Sequence, residues 1–229
     1  MSISDSRENF KREAKAGFEP LTRARRRELT RRHLMDAAAA VFARDGFHSA
    51  SLDDVAAAAG FTKGAVYSNF AGKEDLFLAV FEDRYASEQN EMQRVLTEPE
   101  QPYELGLEES EVFNRVRGVI DRTWDDEWTA LYLEFVLYAR RNEEAARKLA
   151  ESVQRQREMT VAMLDDAYRS VDYVPDTPVS VLATLAVALF DGLAIGRLAD
   201  PGAFDETLLT EALAFLVRSI GNIMPPADE

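Results

Sequence analysis

The stretch Ser51–Phe70, SLDDVAAAAGFTKGAVYSNF, predicts two short helices joined by a tight turn. Apolar residues recur in its first half at the spacing of a helix with one buried face: Leu52, Val55, Ala56 and Ala59. Ser51 is a good N-cap for that helix, and Asp54 three residues later completes a start that resembles a capping box. Gly60 permits the left-handed backbone that ends a helix and turns the chain. The pattern therefore predicts a helix-turn-helix motif over residues 51–70.

The second helix of this motif is predicted to start after Thr62 and to bury Val66 and Phe70. Its outer face carries small and polar side chains, which suit entry into the major groove of DNA. Side chains with N–H or O–H groups on this face can donate hydrogen bonds to phosphate oxygens, whereas the small ones can approach base edges. The residues expected to contact DNA are Ser51, Thr62, Lys63, Gly64, Ala65, Tyr67, Ser68, Asn69 and Lys73, with Lys63, Tyr67 and Lys73 mainly on phosphates.

Residues 30–85 resemble the DNA-binding domain of TetR-type (tetracycline-repressor-like) transcriptional regulators. The marks of that family occur in order: AA-x-x-x-F-x-x-x-G-F at Ala37–Phe47, the glycine-ended helix at Ser51–Gly60, K-G-x-x-Y-x-x-F at Lys63–Phe70 and K-E-x-L-F at Lys73–Phe77. An ordered set over about fifty residues is far more specific than a lone motif. The resemblance implies a dimer that binds a palindromic operator on double-stranded DNA, usually as a repressor that a small effector releases.

Two other interpretations remain open at this stage. The apolar stripe, caps and glycine turn would also occur in a helical bundle in which they serve packing alone. A helical dimeric adaptor or ligand-binding protein without DNA binding would keep the same fold while its second helix had lost the DNA-contacting residues. The intact set of Lys63, Gly64, Tyr67 and Lys73 favours DNA binding over the adaptor.

The net charge of −14 is unevenly distributed along the chain. Residues 1–32 hold ten Lys and Arg against five Asp and Glu, whereas residues 33–85 hold four against eight and residues 86–229 hold thirteen against twenty-eight. The acidic remainder would be repelled by DNA, which favours one orientation of the protein on the duplex. Positive charge is therefore concentrated at the amino end, where a DNA-binding region needs it.

The basic segment LTRARRRELTRR follows a polar tail, residues 1–22, which we expect to be disordered. We predict that Arg23, Arg25, Arg26 and Arg27 belong to an arm that lies on phosphates or in the minor groove. The alternative is the solvated start of a charged helix. If the arm supplies much of the electrostatic affinity, removal of residues 1–27 should flatten the dependence of DNA binding on salt.

Several classes of function are disfavoured by composition. The chain has no cysteine, and its two histidines, His33 and His48, have no metal-ligand spacing, so we expect no metal site and no cofactor. The motifs G-x-S-x-G, H-E-x-x-H, Walker A and G-x-G-x-x-G are absent, so we predict that the protein is not an enzyme. Residues 1–36 contain no apolar segment of the signal-peptide type, which predicts a cytoplasmic protein.

The predicted fold is all-α with about nine helices in all. A three-helix DNA-binding domain is expected at residues 23–85 and a larger helical ligand-binding and dimerisation domain at residues 86–229. Aromatic and methionine side chains along two helices of the larger domain are candidates for the pocket of an unknown small apolar effector: Trp124, Trp128, Tyr132, Phe135, Tyr138, Met159 and Met163. Plain core packing is the alternative for each of them.

The last two helices are expected to form the dimer interface. Residues 179–199 are the most apolar stretch, but Asp191 and Arg197 interrupt them, so a buried or interface helix fits better than a membrane span. The family resemblance implies that these two helices pack against their copies as a four-helix interface, and the alternative is that they complete the core of one chain. The expected interface residues are Leu182, Leu185, Leu189, Gly192, Gly196, Leu209, Leu213, Leu216, Val217 and Ile220.

Overall fold

A computed structural model describes residues 22–97, 114, 116–120, 125–170, 172–204, 207–208, 211–212 and 215. Strands are absent from these ranges, and the predicted all-α class is confirmed. Seven helices have defined bounds: α1 Arg23–Ser49, α2 Leu52–Ala59, α3 Lys63–Asn69, α4 Lys73–Thr97, α5 Asp126–Ala139, α6 Glu143–Ser170 and α7 Val179–Ala199. The predicted tail lies outside the described residues except for Thr22, whose side chain caps α1 by accepting from the Arg25 N–H.

Helix α1 buries the predicted apolar stripe and is interrupted near its end. Leu34, Ala38, Val41 and Phe42 are buried, while Ala37 is half-buried. Gly46 has φ 73° and ψ 166°, a backbone region that only glycine adopts without strain. The break at Gly46 turns the last residues of α1 inward, so that Phe47 is buried among aromatic rings.

The helix-turn-helix motif forms as its sequence predicts. The Ser51 hydroxyl accepts from the Asp54 N–H and the Asp54 carboxylate accepts from the Ser51 N–H, which is a complete capping box. Gly60 ends α2 with φ 70°. Thr62 caps α3 by accepting from the Ala65 N–H, and Val66 and Phe70 are buried. Local capping therefore sets the bounds of both helices.

Helix α4 joins the amino-terminal helices to the rest of the molecule without a break. The predicted domain boundary between residues 85 and 86 lies in the middle of α4. One hydrophobic core contains residues of α1 to α4 together with Leu131, Phe135 and Ala139 of α5 and Ala145 of α6. The two predicted domains thus share a helix and a core, and the division itself stays a prediction.

Helices α4 and α6 run parallel, because contacts join residues in the same order along both. The Lys148 ammonium lies 2.8 Å from an Asp75 carboxylate oxygen, and the Gln93 amide donates to Asp166 at 3.0 Å. Helix α7 packs on α6 through a smaller core that includes Met163, Tyr168 and Leu182. Residues 98–113 and most of the predicted last helix lie outside the described residues.

Candidate nucleic-acid interface

Helix α3 presents a polar face to solvent at the end of the molecule opposite the α6–α7 core. Tyr67 is 52% exposed, which is high for so large an aromatic side chain. Lys63, Gly64 and Ser68 are also exposed, Ala65 and Asn69 are half-buried, and Thr62 just before the helix is exposed. The predicted DNA-contacting residues of this helix therefore lie on one accessible surface, with Ala65 and Asn69 at its edge.

Several of the predicted DNA-contacting side chains also form hydrogen bonds that stabilise α2 and α3. Ser68 and Asn69 both donate to the Ala65 carbonyl, at 2.9 and 2.8 Å. The hydroxyls of Ser51 and Thr62 serve as caps. The Thr62 hydroxyl keeps a lone pair and a rotatable proton for a ligand, whereas the Ser51 hydroxyl also donates its proton to the Asp54 carboxylate.

Lys63 forms a surface ion pair with Asp53 of α2. The ammonium lies 2.8 Å from one carboxylate oxygen, and both side chains are more than half exposed. The hydrogen bond to Asp53, followed by its charge, raises the pKa of Lys63. An exposed pair of this kind is weak and exchangeable, so Lys63 is able to turn to a phosphate.

Lys73 does not occupy the position expected of a phosphate ligand. Its ammonium donates to three backbone carbonyls at the end of α1, those of Phe47 at 2.8 Å, His48 at 3.1 Å and Ala50 at 3.0 Å. It also lies 4.6 Å from the centre of the Phe47 ring, and burial lowers its pKa. An ammonium has three N–H donors, and all three are used inside the protein. In this geometry Lys73 supports the helix-turn-helix motif, and its contact with a DNA phosphate stays a prediction that the geometry does not favour.

The basic segment is helical, which agrees with the alternative of a solvated, charged helix start, while contact of its arginines with DNA stays a prediction. Residues 23–29 are exposed in the first two turns of α1. Arg27 donates to the Ser68 carbonyl at 3.4 Å, and Arg31 donates to the Asn69 carbonyl at 3.1 Å while its guanidinium lies 4.3 Å from the centre of the Phe70 ring. Two arginines of α1 therefore hold the carboxyl end of α3, where its carbonyls have no helical partner.

Helix α5 contacts the helix-turn-helix region through polar groups that sequence reasoning missed. A Glu134 carboxylate oxygen accepts from the Phe47 N–H at 3.0 Å and lies where a side chain on Gly46 would be. The Tyr138 hydroxyl donates to Glu74, in the first turn of α4, at 2.7 Å. No sequence motif could have identified Glu134, because the residue that it bonds is 87 positions away in the chain.

The candidate effector residues do not lie in one place. Phe135 is fully buried against Phe47 and Phe77, and Tyr138 packs on Phe47, so both belong to the core shared with the helix-turn-helix motif. Core packing, the alternative interpretation for each, therefore describes the positions of these two, and their part in an effector pocket stays a prediction. Trp128 and Tyr132, nearer the start of α5, contact Phe81 of α4. Met163 belongs to the α6–α7 core, and Met159 is half-buried. Trp124 lies outside the described residues.

The candidate interface residues on α7 divide into two faces. Leu182 is buried in the core of its own chain, which favours internal packing over the predicted dimer contact. Leu185 and Gly192 are exposed and Leu189 is half-buried. A side chain on Gly196 would overlap the Phe204 ring of the same chain, so this glycine makes room for an internal contact. Leu209, Leu213, Leu216, Val217 and Ile220 lie outside the described residues.

Helix α7 is long and apolar enough to cross a membrane by length and composition alone, with a mean hydropathy of 2.0, and it is the one such helix among the described residues. The buried fraction of this segment is small, at 17%. One helix of this kind is weak evidence of a membrane, since core helices of soluble proteins have the same properties. Val181, Leu185 and Ile195 give this helix an exposed apolar surface.

Two protein-family models match the chain. The model described as "Bacterial regulatory proteins, tetR family" matches residues 34–80, and the model described as "BetI-type transcriptional repressor, C-terminal" matches residues 115–221. Together they span about two thirds of the chain. The first contains the whole helix-turn-helix motif, and the second contains α5, α6 and α7.

Individual proteins are similar in sequence or in fold. The HTH-type transcriptional regulator AcrR of Shigella flexneri is 45% identical over 53 residues, which is 23% of this chain and only 25% of that protein, so the match spans about a quarter of this curated relative. FadR of Bacillus subtilis, solved in complex with stearoyl-CoA, has a TM-score of 0.55 and 17% identity, with 81% of this chain and 96% of that chain covered. SmeT, solved with triclosan, has a TM-score of 0.55 and 21% identity, with 88% and 100% covered. At these identities the two structures show a shared fold.

Proposed function

This chain belongs to the TetR family of bacterial transcriptional regulators, and from that premise we propose that it is a ligand-responsive repressor. In this proposal a homodimer binds a palindromic operator through residues 23–85. A small effector that binds within residues 86–229 lowers the affinity for DNA. The family is regulatory, which agrees with a protein that is not an enzyme, and we place the protein in the cytoplasm.

The exposed polar face of α3 is the observation that carries this proposal. Tyr67 is held outward by a helix whose inner side is anchored by the fully buried Val66 and whose end is bonded by Arg27 and Arg31. A short helix fixed in this way presents its side chains without a large loss of entropy on binding. A dimer would place two such helices about 34 Å apart, which matches successive major grooves on one face of B-form DNA.

Replacing Tyr67 with alanine is expected to weaken operator binding about tenfold, because an exposed hydroxyl that donates to a phosphate oxygen would be lost. Tyr67→Phe separates the hydroxyl from the ring and should lose most of the same affinity. The measurement is duplex retardation or fluorescence anisotropy, using DNA from upstream of the protein's own gene. Equal affinity of the wild-type protein and Tyr67→Ala would contradict the assigned role. Failure of the wild-type protein to bind any duplex would favour the adaptor without DNA binding.

The exposed arginines of α1 are expected to contribute to the salt dependence of binding. Replacing Arg23 and Arg25 with glutamine should reduce the magnitude of the slope of log affinity against log salt by about two. Each arginine is expected to contact one phosphate, and the loss of one such contact reduces the slope by about 0.9. Replacing Arg147 and Arg157, which are exposed on α6, changes the net charge equally and should leave the slope unchanged. A slope that does not differ between the two double variants would show that α1 lies away from the phosphates.

The exposed face of α7 supports dimer formation. Val181, Leu185 and Ile195 are each more than 40% exposed and recur at helical spacing along one side. With Gly192 between them, the side is both apolar and flat enough for a second helix to approach. Burial of such a patch against its copy removes it from water, and twofold symmetry would then fix the distance between the two α3 helices.

Helix α5 offers a physical connection between an effector and DNA. The first half of α5 packs against Phe81 of α4. In its second half, Glu134 accepts a hydrogen bond from the Phe47 N–H in the Gly46 turn, and Tyr138 donates one to Glu74 at the start of α4. A fourteen-residue helix transmits a shift at one end to the other with little deformation. An effector that displaces α5 would therefore also move the helix-turn-helix motif, and its effect on DNA affinity would equal its preference for the displaced state.

A further inference from the structure

Helix α3 is too short to determine its own orientation. It contains seven residues, Lys63–Asn69, whereas an isolated helix needs about 12–15 residues to be even marginally stable in water. Its apolar anchors are Val66 and, just after its end, Phe70, and both are buried. Two side chains four residues apart lie on one line along a helix, so they fix its depth and leave it able to roll about that line. A contact away from this line is needed to fix the face that α3 presents.

Arg31 of α1 makes such a contact at the carboxyl end of α3. Its guanidinium donates to the Asn69 carbonyl at 3.1 Å and lies 4.3 Å from the centre of the Phe70 ring. The N–H group bonds in the plane of the guanidinium, whereas the ring stacks on its face, so one side chain restrains α3 in two directions. Arg27, one turn earlier, donates to the Ser68 carbonyl at 3.4 Å, a longer and weaker bond.

The end of α3 where Arg31 binds contains acceptors without donors. The last carbonyls of a helix have no partner within the helix and carry a partial negative charge. The Asn69 side-chain nitrogen donates to the Ala65 carbonyl at 2.8 Å, and its side-chain oxygen is buried with no hydrogen-bond partner among the described residues. A cation is therefore favoured at this end, and the Arg31 guanidinium lies there on the carbonyl of Asn69 itself.

Burial distinguishes Arg31 from the arginines that precede it on α1. Arg31 is half-buried, and it would lose both its hydrogen bond and its ring contact if it turned to a phosphate. The earlier arginines are exposed and would lose less: Arg23, Arg25, Arg26 and Arg27. One helix therefore carries arginines that are accessible to DNA and an arginine that is committed to α3.

We propose that Arg31 is a positioning residue, whose planar guanidinium fixes the angle at which α3 enters the major groove and so determines the preference of the protein for its operator over other DNA. This inference rests on the proposed function, because it concerns the same DNA-binding helix. Electrostatic contacts with phosphates depend little on sequence, whereas hydrogen bonds to base edges require an aligned donor and acceptor. Loss of the Arg31 contacts therefore costs operator affinity and spares affinity for other DNA.

Fluorescence anisotropy of the full-length protein on two duplexes tests this proposal. The first duplex comes from upstream of the protein's own gene, and the second has the same length and base composition in shuffled order. Arg31→Met keeps an apolar stem over Phe70 and removes the charge and the donors. It should lower affinity for the first duplex about tenfold and for the second by less than about twofold, because one misaligned base contact accounts for the difference. The slope of log affinity against log salt should stay unchanged on both duplexes.

Arg25→Gln is the matched control, since Arg25 is exposed on the same helix and its loss changes the net charge by the same amount. It should lower affinity for both duplexes by a similar factor and reduce the magnitude of the slope by about 0.9. Equal loss on both duplexes in Arg31→Met, or a flatter slope, would overturn the inference, because a phosphate contact has that effect.

Arg31→Lys keeps the charge without the planar guanidinium, so it should lose the preference for the first duplex as Arg31→Met does. A full preference in Arg31→Lys would also overturn the inference, because charge alone would then suffice.

Hydrogen exchange in the absence of DNA separates a positioning role from a general loss of stability. In Arg31→Met, the amides of residues 66–70 should exchange faster than in the wild-type protein, whereas those of residues 152–164 in α6 should exchange at the wild-type rate. Equal acceleration in both regions would show that the whole fold is weakened and would overturn the inference.

The wild-type protein separates failure of this inference from failure of the proposed function. If it binds the two duplexes equally or binds neither, the proposed function fails, and hydrogen exchange still decides whether Arg31 fixes α3. If it prefers the first duplex and Arg31→Met keeps that preference, the regulator stands and the inference fails.

Discussion

Replacing Phe135 with alanine is expected to lower the free energy of unfolding by about 3–5 kcal/mol, which is the usual cost of truncating a fully buried phenylalanine. The Phe135 ring is fully buried, with ring centres 4.9 Å from Phe47 and 4.6 Å from Phe77. Phe47 belongs to the turn after Gly46 and Phe77 to α4, so the cavity would open where the helix-turn-helix motif meets the rest of the chain. We expect operator binding to weaken together with stability.

Urea unfolding monitored by circular dichroism gives the free energy, and retardation of the operator gives the functional effect. Leu137→Ala is the matched control, because Leu137 is on the same helix and is 67% exposed. Truncation at an exposed position should change stability by less than about 0.5 kcal/mol. If the two variants were equally stable, α5 would not belong to the core of the DNA-binding region.

Replacing Lys73 with methionine is expected to destabilise the protein by about 2–3 kcal/mol while leaving the salt dependence of operator binding unchanged. Methionine keeps much of the length of the side chain and removes the three N–H groups that bond the carbonyls of Phe47, His48 and Ala50. Carbonyls left without a donor in a partly buried site account for the expected loss. The slope against salt should persist, because these bonds leave no N–H for a phosphate.

Lys63→Met should have the opposite pair of effects. Its ion pair with Asp53 is exposed, so stability should change little. The slope of log affinity against log salt should fall by about 0.9 if Lys63 contacts one phosphate. A reduced slope in Lys73→Met, with stability retained, would restore the phosphate contact inferred from the sequence and would contradict the geometry.

Phe135 and Lys73 both support the turn after Gly46, because Phe135 packs on the Phe47 ring and Lys73 donates to the Phe47 carbonyl. The DNA-binding helices are completed by α5, which supplies Phe135 to their core and Glu134 and Tyr138 to their polar contacts. Stability and DNA affinity are therefore linked through one helix. Any ligand that repositions α5 acts on groups that already support the turn at Gly46, which gives the proposed release of DNA a defined set of contacts to change.

The amino-acid sequence by itself determined the helices and their caps. The capping box at Ser51, the left-handed turn at Gly60 and the cap at Thr62 are all present, and α7 spans the apolar stretch 179–199. Each of these features depends on side chains within a few residues of the backbone groups that they bond, so a linear pattern contains the information.

The tertiary structure alone decided what individual side chains do. Lys73 bonds carbonyls 23 to 26 residues away, Glu134 bonds an N–H 87 residues away, and Phe135 enters a core that its own helical stripe did not distinguish from a ligand pocket. The basic segment, expected as an arm, is a helix whose arginines bond the end of α3. Contacts between distant segments depend on how the helices pack, and periodicity along one helix identifies the buried face without identifying its partner.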